Sequence, residues 1–178
     1  KPATRFPGSG GAGAMAANCG KTIAIMALEK RRFVIKVDFI TSIGFGDGSA
    51  DYREKAGVMG SGPYRVITQQ ALFGFDEATR RMKLLEVRPG FTPAQIQEMI
   101  EFELIIPPDV KEMAEPTEED LKLLRDEIDK EGYFLKRSLL APKGNTGKVS
   151  KSIISIQLTL LEMSPFASVS ITLMTRHP

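Results

Sequence analysis

Four of the six residues at positions 8–13 are glycine, in the order Gly8-Ser9-Gly10-Gly11-Ala12-Gly13. Backbone with so few side chains can approach a ligand closely and can adopt φ > 0. Successive N–H groups in such a loop can converge on an anion or on the oxyanion of an addition intermediate. The small residues 12–18 predict a short helix whose N-terminus faces the loop. The same glycines match G-x-G-x-x-G, the dinucleotide fingerprint, through Gly8, Gly10 and Gly13. That fingerprint needs a strand before it, a helix after it and an acid about 20 residues on. Glu29 and Asp38 stand at loosely suitable distances, but residues 1–7 include Pro2 and Pro7 and make a poor strand. An oxyanion or acyl-group loop is therefore preferred to a purely structural glycine turn, and both to a dinucleotide module.

Other reactive residue types are sparse. Cys19 is the single cysteine, so neither a disulfide framework nor a thiolate zinc cluster can form within the chain. It reads as a small apolar residue, with no basic partner identifiable. His177, the single histidine, stands one residue from the end, which argues against a Ser-His-Asp or Cys-His centre. Glu118, Glu119 and Asp120 read as helix-start charges and not as a metal site. Residues 144–150 (Gly-Asn-Thr-Gly-Lys-Val-Ser) lack phosphate-loop spacing and read as a basic surface loop. Glu29-Lys30-Arg31-Arg32 could meet an acidic substrate or CoA phosphates, but reads first as a solvated strand end.

The 178 residues suit one domain, with 42% hydrophobic and 26% charged residues. A formal net charge of +2 gives no case for nucleic acid. No apolar run reaches the roughly 18 residues of a membrane span. A reducing cytoplasm is the expected setting. Because the chain begins at Lys1 beside its candidate site, further residues are expected upstream.

The elements that must position the loop follow from pattern. The apolar residues 22–28 predict a buried strand. Residues 33–40, rich in β-branched and aromatic side chains, predict another. Residues 44–63 carry six glycines and form the main irregular segment. Residues 64–75 and 82–87 predict a strand hairpin turning at Asp76-Glu77-Ala78-Thr79. Thr92-Pro93-Ala94-Gln95 starts a helix with Thr as N-cap, its inner face Ile96, Met99 and Ile100. Thr117-Glu118-Glu119-Asp120 starts a second helix, with Leu121, Leu124 and Ile128 on one face. Character changes near Tyr133. Residues 1–133 are assigned to one domain portion. Residues 134–178, with a Ser/Thr-rich end, are an extension of uncertain structure, either divergent or a reading-frame artefact.

Taken in order, several segments resemble the β (B) subunit of glutaconate CoA-transferase, in the class I CoA-transferase family. They are Arg5-Phe6-x-Gly8-Ser9-Gly10-Gly11-Ala12, Glu29-Lys30-Arg31-Arg32-Phe33, and Lys36-Val37-Asp38-Phe39-Ile40-Thr41-Ser42. Tyr64-Arg65-Val66-Ile67-Thr68, Leu72-Phe73-Gly74-Phe75-Asp76 and Met82-Lys83-Leu84-Leu85-Glu86-Val87-x-Pro89-Gly90-x-Thr92 continue the likeness to Phe102-Glu103-Leu104. The resemblance covers residues 1–133. It implies an α/β, CoA-transferase-like sheet with helices on both faces, its N-terminal part missing. It implies transfer of CoA between an acyl-CoA and a (di)carboxylic acid through a glutamyl-CoA thioester. The family's nucleophilic glutamate lies well before the glycine loop, so no catalytic residue is expected here, and Glu29 and Glu54 do not inherit the role. The family's oxyanion or acyl-CoA loop maps to Gly8, Ser9, Gly10 and Gly11. An α subunit is the implied partner, with coenzyme A as substrate and neither cofactor nor metal. The acyl group stays open. A ring-opening acyl-CoA hydrolase on the same scaffold and a non-catalytic dinucleotide-binding module are the alternatives.

Overall fold

The computed structural model describes residues 8–131 and the backbone of Val169–Leu173. Helix α1 (Gly10–Asn18) leads through Cys19-Gly20 into strand β1 (Lys21–Ile25). A 3-10 turn (Lys30–Arg32) and a long irregular stretch follow, interrupted by the one-turn helix α2 (Tyr52–Lys55). Next come β2 (Pro63–Ile67), β3 (Ala71–Phe75), β4 (Met82–Val87), α3 (Pro93–Glu98), the two-residue β5 (Lys111–Glu112) and α4 (Glu118–Leu123). A π-helical turn (Leu124–Ile128) prolongs α4, and β6 (Val169–Leu173) closes the order. The six strands form one mixed sheet, ordered β5-β4-β3-β2-β1-β6. Every pairing is parallel except those of β3, which runs against both neighbours.

The expected hairpin forms from β3 and β4, with Phe75 opposite Met82. Asp76 makes the turn: its Oδ1 accepts from the Thr79 N–H and hydroxyl, each at 2.8 Å. These bonds hold the Asp76 carboxyl below its ordinary value, the Thr79 backbone N–H first among the causes. Residues 64–75 are two strands and not the one strand expected. The reversal is made by Thr68, which is fully buried. Its hydroxyl donates to the Ala71 carbonyl at 2.8 Å and accepts from the Ala71 N–H at 3.0 Å. A side-chain hydroxyl here replaces the Gly or Asn that usually marks such a turn.

The two sheet faces follow the period-two alternation of the strands. On one face Val66, Ala71, Phe73, Leu84 and Val87 join Leu28, Phe33, Ile96, Ile100 and Leu104 in the main core. The Phe33 and Phe73 rings lie 5.9 Å apart. Ile23, Ile67 and Leu72 form the smaller cluster, with Ile25, Tyr64, Leu85 and Met113 packed beside them. Helix α3 is set by its expected cap. Thr92 Oγ1 accepts from the Gln95 N–H, and Gln95 Oε1 accepts from the Thr92 N–H at 2.9 Å, with Pro93 at the first helical position. Thr117 and Asp120 form the equivalent box on α4. Leu121 and Leu124 are buried there, whereas Ile128 is exposed.

One further expectation is corrected. Residues 33–40 are not a strand. Phe33 is buried, but Ile35 and Phe39 are 77% and 78% exposed, and Val37 and Ile40 are also exposed. Strand propensity is realised only against a neighbour, and among the described residues none pairs with this run. The Ser/Thr-rich end supplies a strand: β6 pairs with β1 in parallel, from Lys21 opposite Val169 to Ile25 opposite Leu173. Its alternation Val169-Ser170-Ile171-Thr172-Leu173 is the period-two pattern of a strand. Residues 144–150 and His177 lie outside the described residues.

Candidate functional site

Helix α1 begins inside the glycine run. Ser9 is its N-cap, at φ −88° and ψ 0°, and Gly10 and Gly11 are its first two residues. The bond from the Gly13 N–H to the Ser9 carbonyl, at 2.9 Å, opens the helical ladder. The N–H groups of Gly10, Gly11 and Ala12 therefore precede any intrahelical acceptor. Serine is among the best N-caps, yet the Ser9 side chain makes no capping bond. Among the described residues these donors have no acceptor, and they lie at the end of the helix where anions are favoured.

The sequence predicts a loop exploiting positive φ, and the structure corrects this. Left-handed glycines occur at 46, 48, 57, 62 and 90, but not at 10, 11 or 13. Nor does packing demand glycine at most of the run. A Cβ on Gly8, Gly10 or Gly11 would meet nothing within 4 Å, whereas one on Gly13 would press on the Thr41 carbonyl at 3.2 Å. Two glycines opening a helix weaken it by roughly 1 kcal/mol each relative to Ala. Among the described residues, neither positive φ nor a close neighbour calls for glycine at positions 10 and 11.

At its other end α1 meets a residue that sequence reasoning missed. Arg53, on α2, is 8% exposed. Its guanidinium Nη2 donates to the Ala16 carbonyl at 2.8 Å, its Nη1 to Gly44 at 3.1 Å and its Nε to Gly60 at 2.7 Å. Burial lowers its pKa from the ordinary arginine value. The glycine-rich segment, predicted only as irregular, is folded around this side chain. No sequence signal marks such a residue, because every acceptor is a backbone carbonyl.

A concavity of about 650 Å³ lies where the amino ends of β1, β2 and β4 meet. Lys21, Arg65, Arg80 and Lys83 line it together with Asp76 and Glu77. The Lys21 Nζ and the Arg65 guanidinium sit 4.3 and 4.0 Å from the centre of the Tyr64 ring. Lys21 follows the carboxyl end of α1 by three residues.

Residues 1–99 match the family described as coenzyme A transferase. The chain belongs to that family. It is 41% identical over 135 residues to the B subunit of glutaconate CoA-transferase from Acidaminococcus fermentans, covering 75% of this chain and 50% of that one. The crystal structure of glutaconate coenzyme A-transferase from the same organism superposes with a TM-score of 0.66 at 40% identity, over 75% of this chain and 51% of the other. The B subunit of 3-oxoadipate CoA-transferase from Pseudomonas knackmussii is 35% identical over 125 residues, 70% of this chain and 48% of that one. A cholesterol ring-cleaving hydrolase IpdB subunit from Mycobacterium tuberculosis is 29% identical over 100 residues, 56% of this chain and 39% of that one. The chain spans about half the length of the first two relatives. The mixed sheet with helices expected from the resemblance is thus the fold of a CoA-transferase.

Of the acids singled out from the sequence of this CoA-transferase chain, Asp38 lies exposed in the irregular stretch. Glu29 Oε2 accepts from Arg31 Nε at 2.6 Å and from Arg32 Nε at 3.1 Å, which lowers its carboxyl pKa, Arg31 first among the causes. Such a carboxylate anchors its own turn. Glu54 lies exposed on α2, beside Arg53 in sequence. Asp120 is committed to capping α4 through Thr117, whose hydroxyl bond chiefly lowers its pKa. Cys19 is half-buried at the end of α1. Among the described residues no group of three or more His, Cys, Asp and Glu could hold a metal, and no helix is long and apolar enough to cross a membrane.

Proposed function

We propose that this chain is part of a B-type CoA-transferase subunit that, with an A-type partner, moves CoA from an acyl-CoA to a carboxylic acid. The observation that carries the reading is the open helix start within Gly8, Ser9, Gly10 and Gly11, in a chain of this family. A glutamate carboxylate outside this chain adds to the thioester carbonyl and expels CoA thiolate, leaving an acyl-glutamyl anhydride. The thiolate then attacks the glutamyl carbonyl, releasing the first acid and leaving a glutamyl-CoA thioester. The acceptor carboxylate runs the two steps in reverse and leaves as the new acyl-CoA. Each addition passes through a tetrahedral oxyanion, and a carboxylate is a poor nucleophile. The N–H groups of the first turn of α1 supply the compensating donors, one well-aimed donor being worth roughly 2.7–4 kcal/mol.

Gly11→Pro tests this in the full-length protein assembled with its partner. Proline deletes one N–H, is tolerated in a first helical turn, and follows a glycine that has no Cβ to clash. We expect exchange of labelled CoA into acyl-CoA to fall by about 10²–10³-fold with the melting temperature unchanged. Gly11→Ala, which keeps the N–H, should retain far more activity. Equal activity in Gly11→Pro and wild type would remove the Gly11 N–H from the mechanism. The likeness to the IpdB subunit supports a hydrolase as the second reading. Release of acid from acyl-CoA without an acceptor, and no CoA exchange, would favour it.

A further inference from the structure

Helix α1 has little of its own to hold it in place. It has nine residues, with glycines at 10, 11 and 13, and Ala16 is its one buried side chain. Helices shorter than about 12–15 residues are marginal alone, and most gain their stability from tertiary packing. Helix α1 lies beside β6, and among the described residues it is gripped by polar contacts at its carboxyl end. There the Arg53 fork joins three separate segments: Ala16 in α1, Ile43 and Gly44 in the preceding loop, and Gly60 in the next. Among the described residues no carboxylate pairs with this guanidinium. Its acceptors are carbonyls, two of them (Ala16 and Ala17) in the last turn of α1, where the helix dipole favours a cation.

The surrounding glycines fit this joint. The Gly60 N–H donates to the Ala17 carbonyl at 2.8 Å, and a Cβ on Gly60 would overlap the Cys19 carbonyl oxygen. Gly62, at φ +93°, would press a Cβ onto the Phe45 ring and the Arg53 side chain. The segment gripped at residues 43–44 also carries Thr41, whose carbonyl oxygen would lie 3.2 Å from a Cβ on Gly13, the fourth residue of α1. Burying a guanidinium without a counter-charge is a poor way to gain stability alone. What a planar five-donor fork provides, and an apolar side chain does not, is a simultaneous directional hold on several carbonyls.

We propose that Arg53 is a positioning residue for the transfer reaction: it fixes α1 along its axis and so aims the N–H groups of the Ser9–Ala12 turn. The proposal rests on the transferase reading given above. It is tested in the full-length protein assembled with its partner, comparing wild type, Arg53→Lys and Arg53→Ala. Lysine keeps the charge but is a point donor that cannot bridge the three segments. Amide hydrogen exchange is followed in α1, with β3 and β4 as the internal reference. In Arg53→Lys the α1 amides should exchange at least about tenfold faster while the β3 and β4 amides hold their wild-type rates. For the reaction, kcat should fall by roughly 10²-fold with KM for acyl-CoA within about twofold, as for a misaimed catalytic group. Millimolar guanidinium should restore part of the activity of Arg53→Ala.

Wild-type exchange in α1 of Arg53→Lys overturns the proposal. So does faster exchange in α1, β3 and β4 alike with a lowered melting temperature and no guanidinium rescue, since Arg53 would then serve the fold in general. If the wild-type assembly itself exchanges no CoA, the transferase reading fails. The amide data still decide separately whether Arg53 anchors α1.

Discussion

Residues 8–62 and residues 63–105 share apolar clusters through Ile23, Leu28 and Phe33, but the first region adds a polar joint that the second lacks. The second region is apolar and regular: Phe73, Leu84, Val87, Ile96 and Ile100 pack in one cluster, and the helix is capped by Thr92 and Gln95. The first has short elements and much irregular backbone, joined by a buried arginine that grips carbonyls. Apolar packing is strong but non-directional, whereas hydrogen bonds to a rigid fork are directional and add little net stability. The region that carries the start of α1 is the one where direction is added to apolar packing. Aim, more than bulk stability, is what an oxyanion site requires.

The contrast can be broken most forcefully at Phe73. Phe73→Ala should cost about 3–5 kcal/mol in urea denaturation, because the side chain is fully buried against Phe33 and cannot be replaced by relaxation of the strand. A loss under about 1 kcal/mol would mean that the regular region is not the stabilising half. Thr92→Ala should cost about 1 kcal/mol by removing one member of the capping box. That loss should speed amide exchange in α3 and leave α1 untouched; an equal response in both helices would erase the distinction.

The smallest effect concerns acid. The Asp76 carboxyl is held below its ordinary value by the Thr79 N–H and hydroxyl, and Lys83 acts in the same direction. A depressed folded-state pKa contributes stability that is complete above the unfolded value, near 3.8, and is lost as pH falls through the folded value. The β3–β4 turn should therefore loosen below about pH 4, and Asp76→Asn should remove that dependence. The Arg53 joint uses carbonyls that do not titrate. Amide exchange in α1 should show no such acid step, and a matching one there would contradict the polar-joint description.

The same division decides what could be read from the chain beforehand. Thr92-Pro93-x-Gln95, Thr117-x-x-Asp120 and Asp76-x-x-Thr79 announce their structures because each is a local pairing of side chain and backbone. The glycine run suggested a left-handed loop, whereas Gly10 and Gly11 open a helix at negative φ. Thr68 concealed a reversal, since threonine is also a good strand residue. Residues 33–40 had the composition of a strand, but among the described residues they have no partner to pair with. Arg53 was invisible, because a carbonyl acceptor exists at every position and leaves no mark in the sequence.

The exposed run at residues 35–40 has a consequence for handling and synthesis. Ile35, Val37 and Phe39 alternate with Lys36 and Asp38, and all five are exposed. Short β-prone apolar windows without charge template cross-β stacking, and interleaved charges act as gatekeepers against it. Lys36 and Asp38 thus give a newly made chain time in solution. Replacing both with neutral residues would leave the sheet's contacts as they are while shortening the interval before the chains clump.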